Sequence, residues 1–128
     1  METLSSDYWF EISEYDLETA EVMLKGGRYI YVGYLCHQTI EKTLKGIFVQ
    51  KKHEIPPFTH KLMFLIEKLE IINLFDEEKL QFIDSLEPLQ IEARYPSYRD
   101  RLFKLLTEEY SKELLKKTGE LNLWLKKI

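Results

Sequence analysis

A single run, Tyr29 to Lys52 (YIYVGYLCHQTIEKTLKGIFVQKK), limits what this chain can fold into more than any other part of it. Wound as a helix at about 100° per residue, its apolar side chains, among them Tyr31, Tyr34, Ile40, Leu44, Ile47, Phe48 and Val49, cover far more than one stripe. A helix that apolar must be enclosed by others, so the run predicts a central helix whose wet side is left to Thr39, Lys42, Thr43 and Gln50. Inside the apolar arc, His37, Glu41 and Lys45 follow one another one turn apart, with Gln38 beside them. They form a polar seam on the side that faces neighbouring helices.

A chain of 128 residues supports one core, so residues 1–128 read as a single domain. The net charge of −4, from 18 basic and 22 acidic side chains mixed along the sequence, offers no broad field for a polyanion. General RNA or DNA binding is therefore disfavoured, whereas a few arginines can still hold a phosphate. Cys36 is the lone cysteine, which excludes an internal disulfide and a cysteine-built metal site and fits a reducing cytoplasm; it reads as a small buried hydrophobe. The opening METLSSDYWFEISEYD is acidic where a secretory leader would be basic and then apolar. No apolar run approaches the ~20 residues of a membrane span. The expectation is a soluble, cytoplasmic protein.

Taken in order, Ser5 or Ser6 caps a first helix that runs to about Leu24 and ends at Gly26-Gly27. Its acidic face opposes an apolar face, and Asp16 breaks the pattern by falling within the apolar one. A carboxylate there needs a cation or several donors, either as a tie to another helix or as a ligand-facing group. The short turn brings the second helix back antiparallel. There Glu41 occupies the same kind of position, with Lys45 one turn on in the favourable acid-then-base order. KKHEIPP then stops that helix, and Thr59 reads as the N-cap of a short third helix with His60 in its first turn. Asp76 caps a fourth helix running to Arg94, kinked by Pro88 and ended by Pro96. Next comes the densest arginine and tyrosine cluster, ARYPSYRDR, holding Arg94, Tyr95, Tyr98, Arg99 and Arg101. From Asp100 one more helix runs to the C-terminus, with Gly119 as a point of bending. No strand-like alternation occurs. The fold class is all-α, an antiparallel up-and-down bundle of four to five helices.

Four fragments in this order resemble the HEPN domain: Asp16-Leu17 on the first helix, the His37-Gln38, Glu41-Lys42 and Lys45 run on the second, the prolines with Thr59, His60 and Leu62 leading into the third, and Ala93-Arg94-Tyr95-Pro96 after the fourth. The resemblance spans nearly the whole chain. It implies a helical bundle, commonly a homodimer, of prokaryotic origin and often paired with a minimal nucleotidyltransferase in a toxin-antitoxin-like couple. It also implies that many members are metal-independent ribonucleases, with an arginine and a histidine about four to six residues apart serving charge stabilisation and proton transfer. In this sequence Arg28, Arg94, Arg99 and Arg101 have no histidine at that separation.

The site expected on these grounds is a polar pocket between helices, drawn from Asp16, His37, Glu41, Lys45, His60, Arg94, Tyr95 and Arg99, with no catalytic residue assigned. It would hold a nucleotide or phosphate group, with arginine forks for phosphate and tyrosine faces for stacking, or dock a nucleotidyltransferase partner. A ribonuclease pairing Arg94 with His60 or His37 through folding is the second reading, and a purely structural dimerisation bundle the third. No cofactor is expected. His37 with Glu41 would give a metal only two ligands, too few for a site.

Overall fold

The computed structural model describes residues 5–90 and 96–128, and the described part of the chain is helical with short connections. Helix α1 spans Ser6–Lys25 and α2 spans Tyr29–Lys52. After a proline-bearing connection come α3, Leu62–Lys68, a single 3-10 turn at Ile72–Leu74, and α4, Glu77–Leu86. A second 3-10 turn, Glu87–Gln90, follows, then α5, Pro96–Leu105, and α6, Glu108–Lys126.

Local chemistry accounts for these ends. The Ser5 hydroxyl accepts from the Tyr8 amide at 3.3 Å and opens α1. At the other end Gly27 takes a left-handed conformation, φ 73°, which lets the Arg28 amide reach back to the Met23 carbonyl at 2.8 Å. That bond is the signature of a Schellman closure, and it reverses the chain at once so that α2 returns along α1.

Helix α2 touches α1, α3, α4, α5, α6 and the turn after α4. Cys36, Ile40 and Leu44 are sealed from solvent, as the breadth of its apolar arc requires. Encirclement also corrects the expected wet side: Thr39 and Thr43 are both fully buried. The Thr39 hydroxyl donates to the Leu35 carbonyl one turn back. The Thr43 hydroxyl donates to Asn122 Oδ1 of α6 at 2.5 Å and meets the Ser13 hydroxyl of α1 at 2.6 Å, while Ser13 also reaches the Thr39 carbonyl. Small hydroxyls that bond to one another can be enclosed without a counter-charge, so the joint of α1, α2 and α6 is polar and sealed from solvent. Beside it Gly46 lets the Phe10 ring lie against α2; a Cβ there would stand 2.6 Å from the ring.

Three expected helix boundaries differ. Thr59 accepts from the Lys61 amide at 3.1 Å, a local turn, and the first amides of α3 are capped instead by Glu87, whose Oε1 and Oε2 accept from Leu62 and Met63 at 3.1 Å each. A carboxylate satisfies two amides and complements the helix dipole better than one hydroxyl. Pro88 ends α4 rather than kinking it, since the chain leaves the α-helix one residue earlier, at Glu87, and Pro96 opens α5, the position its missing N–H suits. The expected continuous last helix is two: Thr107 caps α6 by accepting from Tyr110 N at 3.2 Å, and α6 runs through Gly119 without a break.

Candidate functional site

The polar seam of α2 is a network centred on Glu41. This carboxylate is nearly sealed from solvent, and each of its oxygens has a partner: Oε2 accepts from Lys45 Nζ at 2.9 Å, and Oε1 lies 3.1 Å from His60 Nδ1. Burial by itself would raise the Glu41 pKa, but the Lys45 ammonium, through its hydrogen bond and its charge, and the His60 bond outweigh it and hold the carboxyl below its usual range. The Lys45 ammonium also stands 5.7 Å over the Trp9 ring of α1. Helical spacing places Glu41 and Lys45 together; the chain entering α3 brings His60 to them.

His37 sits one turn before Glu41 and is fully buried. Its Nδ1 stands 3.7 Å from Glu41 Oε1 and its Nε2 3.9 Å from Glu87 Oε1, both beyond hydrogen-bond reach. Burial dominates its titration and pushes the imidazole down to about 4, with Glu41 and the His60 backbone pulling weakly the other way. His37 is therefore neutral in the folded protein at neutral pH. His60 differs: its side chain is 63% exposed, so the network reaches water through one imidazole.

Asp16 approaches this group from α1. Burial raises its pKa, Lys42 lowers it and Glu41 raises it, which places the carboxyl within their field, but no hydrogen bond or ion pair joins it to the described residues. Lys42 itself donates to Gln38 Oε1. Arg99 is exposed on α5, its guanidinium 5.2 Å over Phe103, and Arg101 similarly stands 5.1 Å over Tyr98. Neither shares an ion pair with the Glu41 group. Arg94 and Tyr95 lie outside the described residues. The structure thus joins His37, Glu41, Lys45 and His60 and sets Asp16 beside them; among the described residues no hydrogen bond or ion pair links Arg99 to them.

Glu87 is the site residue that sequence reasoning missed. Its signal was an acidic residue directly before Pro88, where a helix must end and a free carboxylate can turn to another helix's amides. Among the described residues no three His, Cys, Asp or Glu side chains are placed to hold a metal ion. A separate groove of about 510 Å³ between α4 and α6, walled by Phe82, Tyr110 and Trp124, shares no residue with the seam. No helix among the described residues is long and apolar enough to cross a membrane.

The bundle, with its polar network on the central helix, is the frame on which the family comparison falls: the HEPN domain model matches residues 6–128. The chain belongs to the HEPN family. No curated protein and no solved structure matches it. Within this HEPN chain the network joins two of the resembling fragments: Glu41 at its centre, Lys45 bonded to it and His37 on its buried flank come from the second-helix run, and His60, its other partner, comes from the entry to α3.

Proposed function

We propose that this HEPN domain is a binding module that holds a nucleotide or another phosphate-bearing group without transforming it, and that it works as a cytoplasmic homodimer in a prokaryotic cell beside a minimal nucleotidyltransferase in a toxin-antitoxin-like pair. The observation that carries the reading is on α5, where the exposed guanidinium groups of Arg99 and Arg101 lie over aromatic rings, also exposed. A guanidinium carries several N–H donors in a fork that suits phosphate oxygens, and an aromatic side chain beside it adds the kind of surface on which a base stacks. The Glu41 carboxylate, by contrast, has both oxygens engaged inside the bundle and suits a structural centre. Calorimetric titration of ATP, GTP and AMP tests the reading. Binding of at least one, weakened tenfold or more by Arg99→Ala/Arg101→Ala or by Arg94→Ala, is expected; no heat with any of the three removes it. Co-expression with a candidate nucleotidyltransferase, followed by size-exclusion chromatography, tests the pairing.

One observation favours a ribonuclease as the second reading. His60 is exposed and oriented by a buried carboxylate, the arrangement by which an imidazole is steadied for proton transfer. Cleavage of a structured RNA by the wild type, lost in His60→Ala and retained in His37→Ala, supports it; an inactive wild type removes it.

A further inference from the structure

The groove between α4 and α6 belongs to none of the networks described above. It encloses about 510 Å³, the size of a small-molecule site. Helical spacing puts Tyr110, Leu114, Leu121 and Trp124 on one face of α6, and Phe82 of α4 closes the other side. Leu114 and Leu121 are buried, whereas the three rings are half-buried and keep part of their surface toward water. Trp124 is held in place by the buried Phe75 ring, which meets it edge-to-face at 5.0 Å.

The charges along the groove say what it takes. Two ammonium groups and three carboxylates stand there, and both ammonium groups are already matched: Lys79 Nζ by Asp76 at 3.2 Å, and Lys117 Nζ by Glu113 at 3.8 Å. That leaves Glu78 on the α4 wall and Glu120 on the α6 wall, and among the described residues neither has an ion pair. An anion would meet two unmatched carboxylates and ring faces that are themselves electron-rich, and a neutral apolar molecule gains nothing from the carboxylates. A cation gains from both. The protein already uses one of these rings in that way, since Lys79 Nζ lies 4.8 Å over Trp124. Lys79 is tied through Asp76 to the start of α4 and reaches only this end; Tyr110 stands about four turns away along α6. Among the described residues no cation lies over Tyr110 or Phe82.

We propose that the groove between α4 and α6 is a binding site for a small organic cation, an amine or quaternary ammonium ion carried on an apolar body. The body rests on the leucines and rings, and the charge is met by the ring faces together with Glu78 and Glu120. Lys79 is then a built-in competitor at the Trp124 end. The site shares no residue with Arg99, Arg101 or the Glu41 network, so it stands if the nucleotide reading fails.

Three probes with one aromatic body test the proposal by calorimetry on the full chain: (naphthylmethyl)trimethylammonium, naphthylmethanol and naphthylmethanesulfonate. The ammonium probe is expected to bind at least tenfold more tightly than either of the others, with backbone amide NMR shifts centred on α4 and α6. The double variant Glu78→Gln/Glu120→Gln should weaken it at least tenfold. Lys79→Met, which removes the competing charge and keeps the chain length, should tighten it several-fold, a gain that a damaged fold does not produce. Glu78 and Glu120 are exposed, and unchanged far-UV circular dichroism and urea midpoints certify the variants as folded. An ammonium probe that binds no more tightly than the other two, weaker binding in Lys79→Met, or shifts centred elsewhere in the bundle overturns the proposal. So does the absence of saturable binding at about 1 mM probe.

Discussion

His37 makes the stability of the bundle depend on pH in a window that no surface group imposes. In the folded protein the imidazole is buried, beyond hydrogen-bond reach of Glu41 and Glu87, and its pKa is pushed down to about 4, against 6.5 for the free side chain. Between those values the unfolded chain takes up a proton that the folded chain refuses, so acidification favours unfolding. The contribution is fully present above pH 6.5 and is lost progressively as pH falls toward 4. Integrating proton uptake from pH 7.5 to 5 gives a loss of about 2 kcal/mol, near the ~3 kcal/mol limit for the whole interval at 1.36 kcal/mol per pH unit. For a denaturant slope of about 1.5 kcal/mol per molar urea, the midpoint should fall by about 1.3 M over that range. The assay is urea unfolding followed by circular dichroism at pH 7.5, 6.5, 5.5 and 5.0, on the wild type and on His37→Leu. Leucine keeps the volume and removes the titration. Because neither ring nitrogen is hydrogen-bonded to Glu41 or Glu87, it should cost about 1 kcal/mol at pH 7.5. Subtracting the two curves cancels the exposed His53 and His60, and the held-down Glu41 acts only below its ordinary pKa of 4.5, outside the window. A difference that stays flat from pH 7.5 to 5, or that rises on acidification, refutes the assignment of His37 as a buried neutral imidazole.

Three substitutions probe the surrounding structure. Glu41→Ala strands the Lys45 ammonium in the core and should cost about 3–5 kcal/mol by chemical denaturation, with part recovered in Glu41→Ala/Lys45→Met because the apolar pair removes both charges. Thr43→Val keeps the shape but leaves Asn122 Oδ1 without its donor; a loss of about 1–3 kcal/mol is expected, and a neutral result would mean that this bond contributes nothing to the joint. Gly46→Ala drives a methyl group to within 2.6 Å of the Phe10 ring, so the thermal midpoint should drop by the equivalent of about 1–3 kcal/mol, and the double variant with Phe10→Leu should recover part of it.

What could be read from the residues follows the range of the forces involved. The starts of α1 and α4 and the turn between α1 and α2 rest on contacts a few residues apart, so Ser5, Gly27 and Asp76 announced them. The grouping of His37, Glu41 and Lys45 was legible for the same reason, one turn separating each from the next. His60 joins them only through the path of the chain into α3, and Glu87 caps α3 from 25 residues away, a pairing that no local pattern encodes. Thr39 and Thr43 looked wet because their hydroxyls are polar; their partners come from α1, α6 and the preceding turn. The split before α6 was written in Thr107-Glu108-Glu109, a cap followed by acidic residues, but the unbroken apolar period across it hid the signal. Of the expected pocket, Arg94 and Tyr95 lie outside the described residues, and Arg99 sits on α5, a helix whose place beside the seam no local spacing encodes.

The seat of Phe10 on the bare backbone at Gly46 also fixes the angle at which α1 is turned about its own axis. With that ring keyed into α2, α1 cannot turn about its axis without unseating it, so Ser13 stays aimed at Thr39 and Thr43 and Asp16 stays within the field of Lys42 and Glu41. One aromatic ring thereby indexes the two helices against each other, and the polar contacts beside it inherit their alignment from that seat.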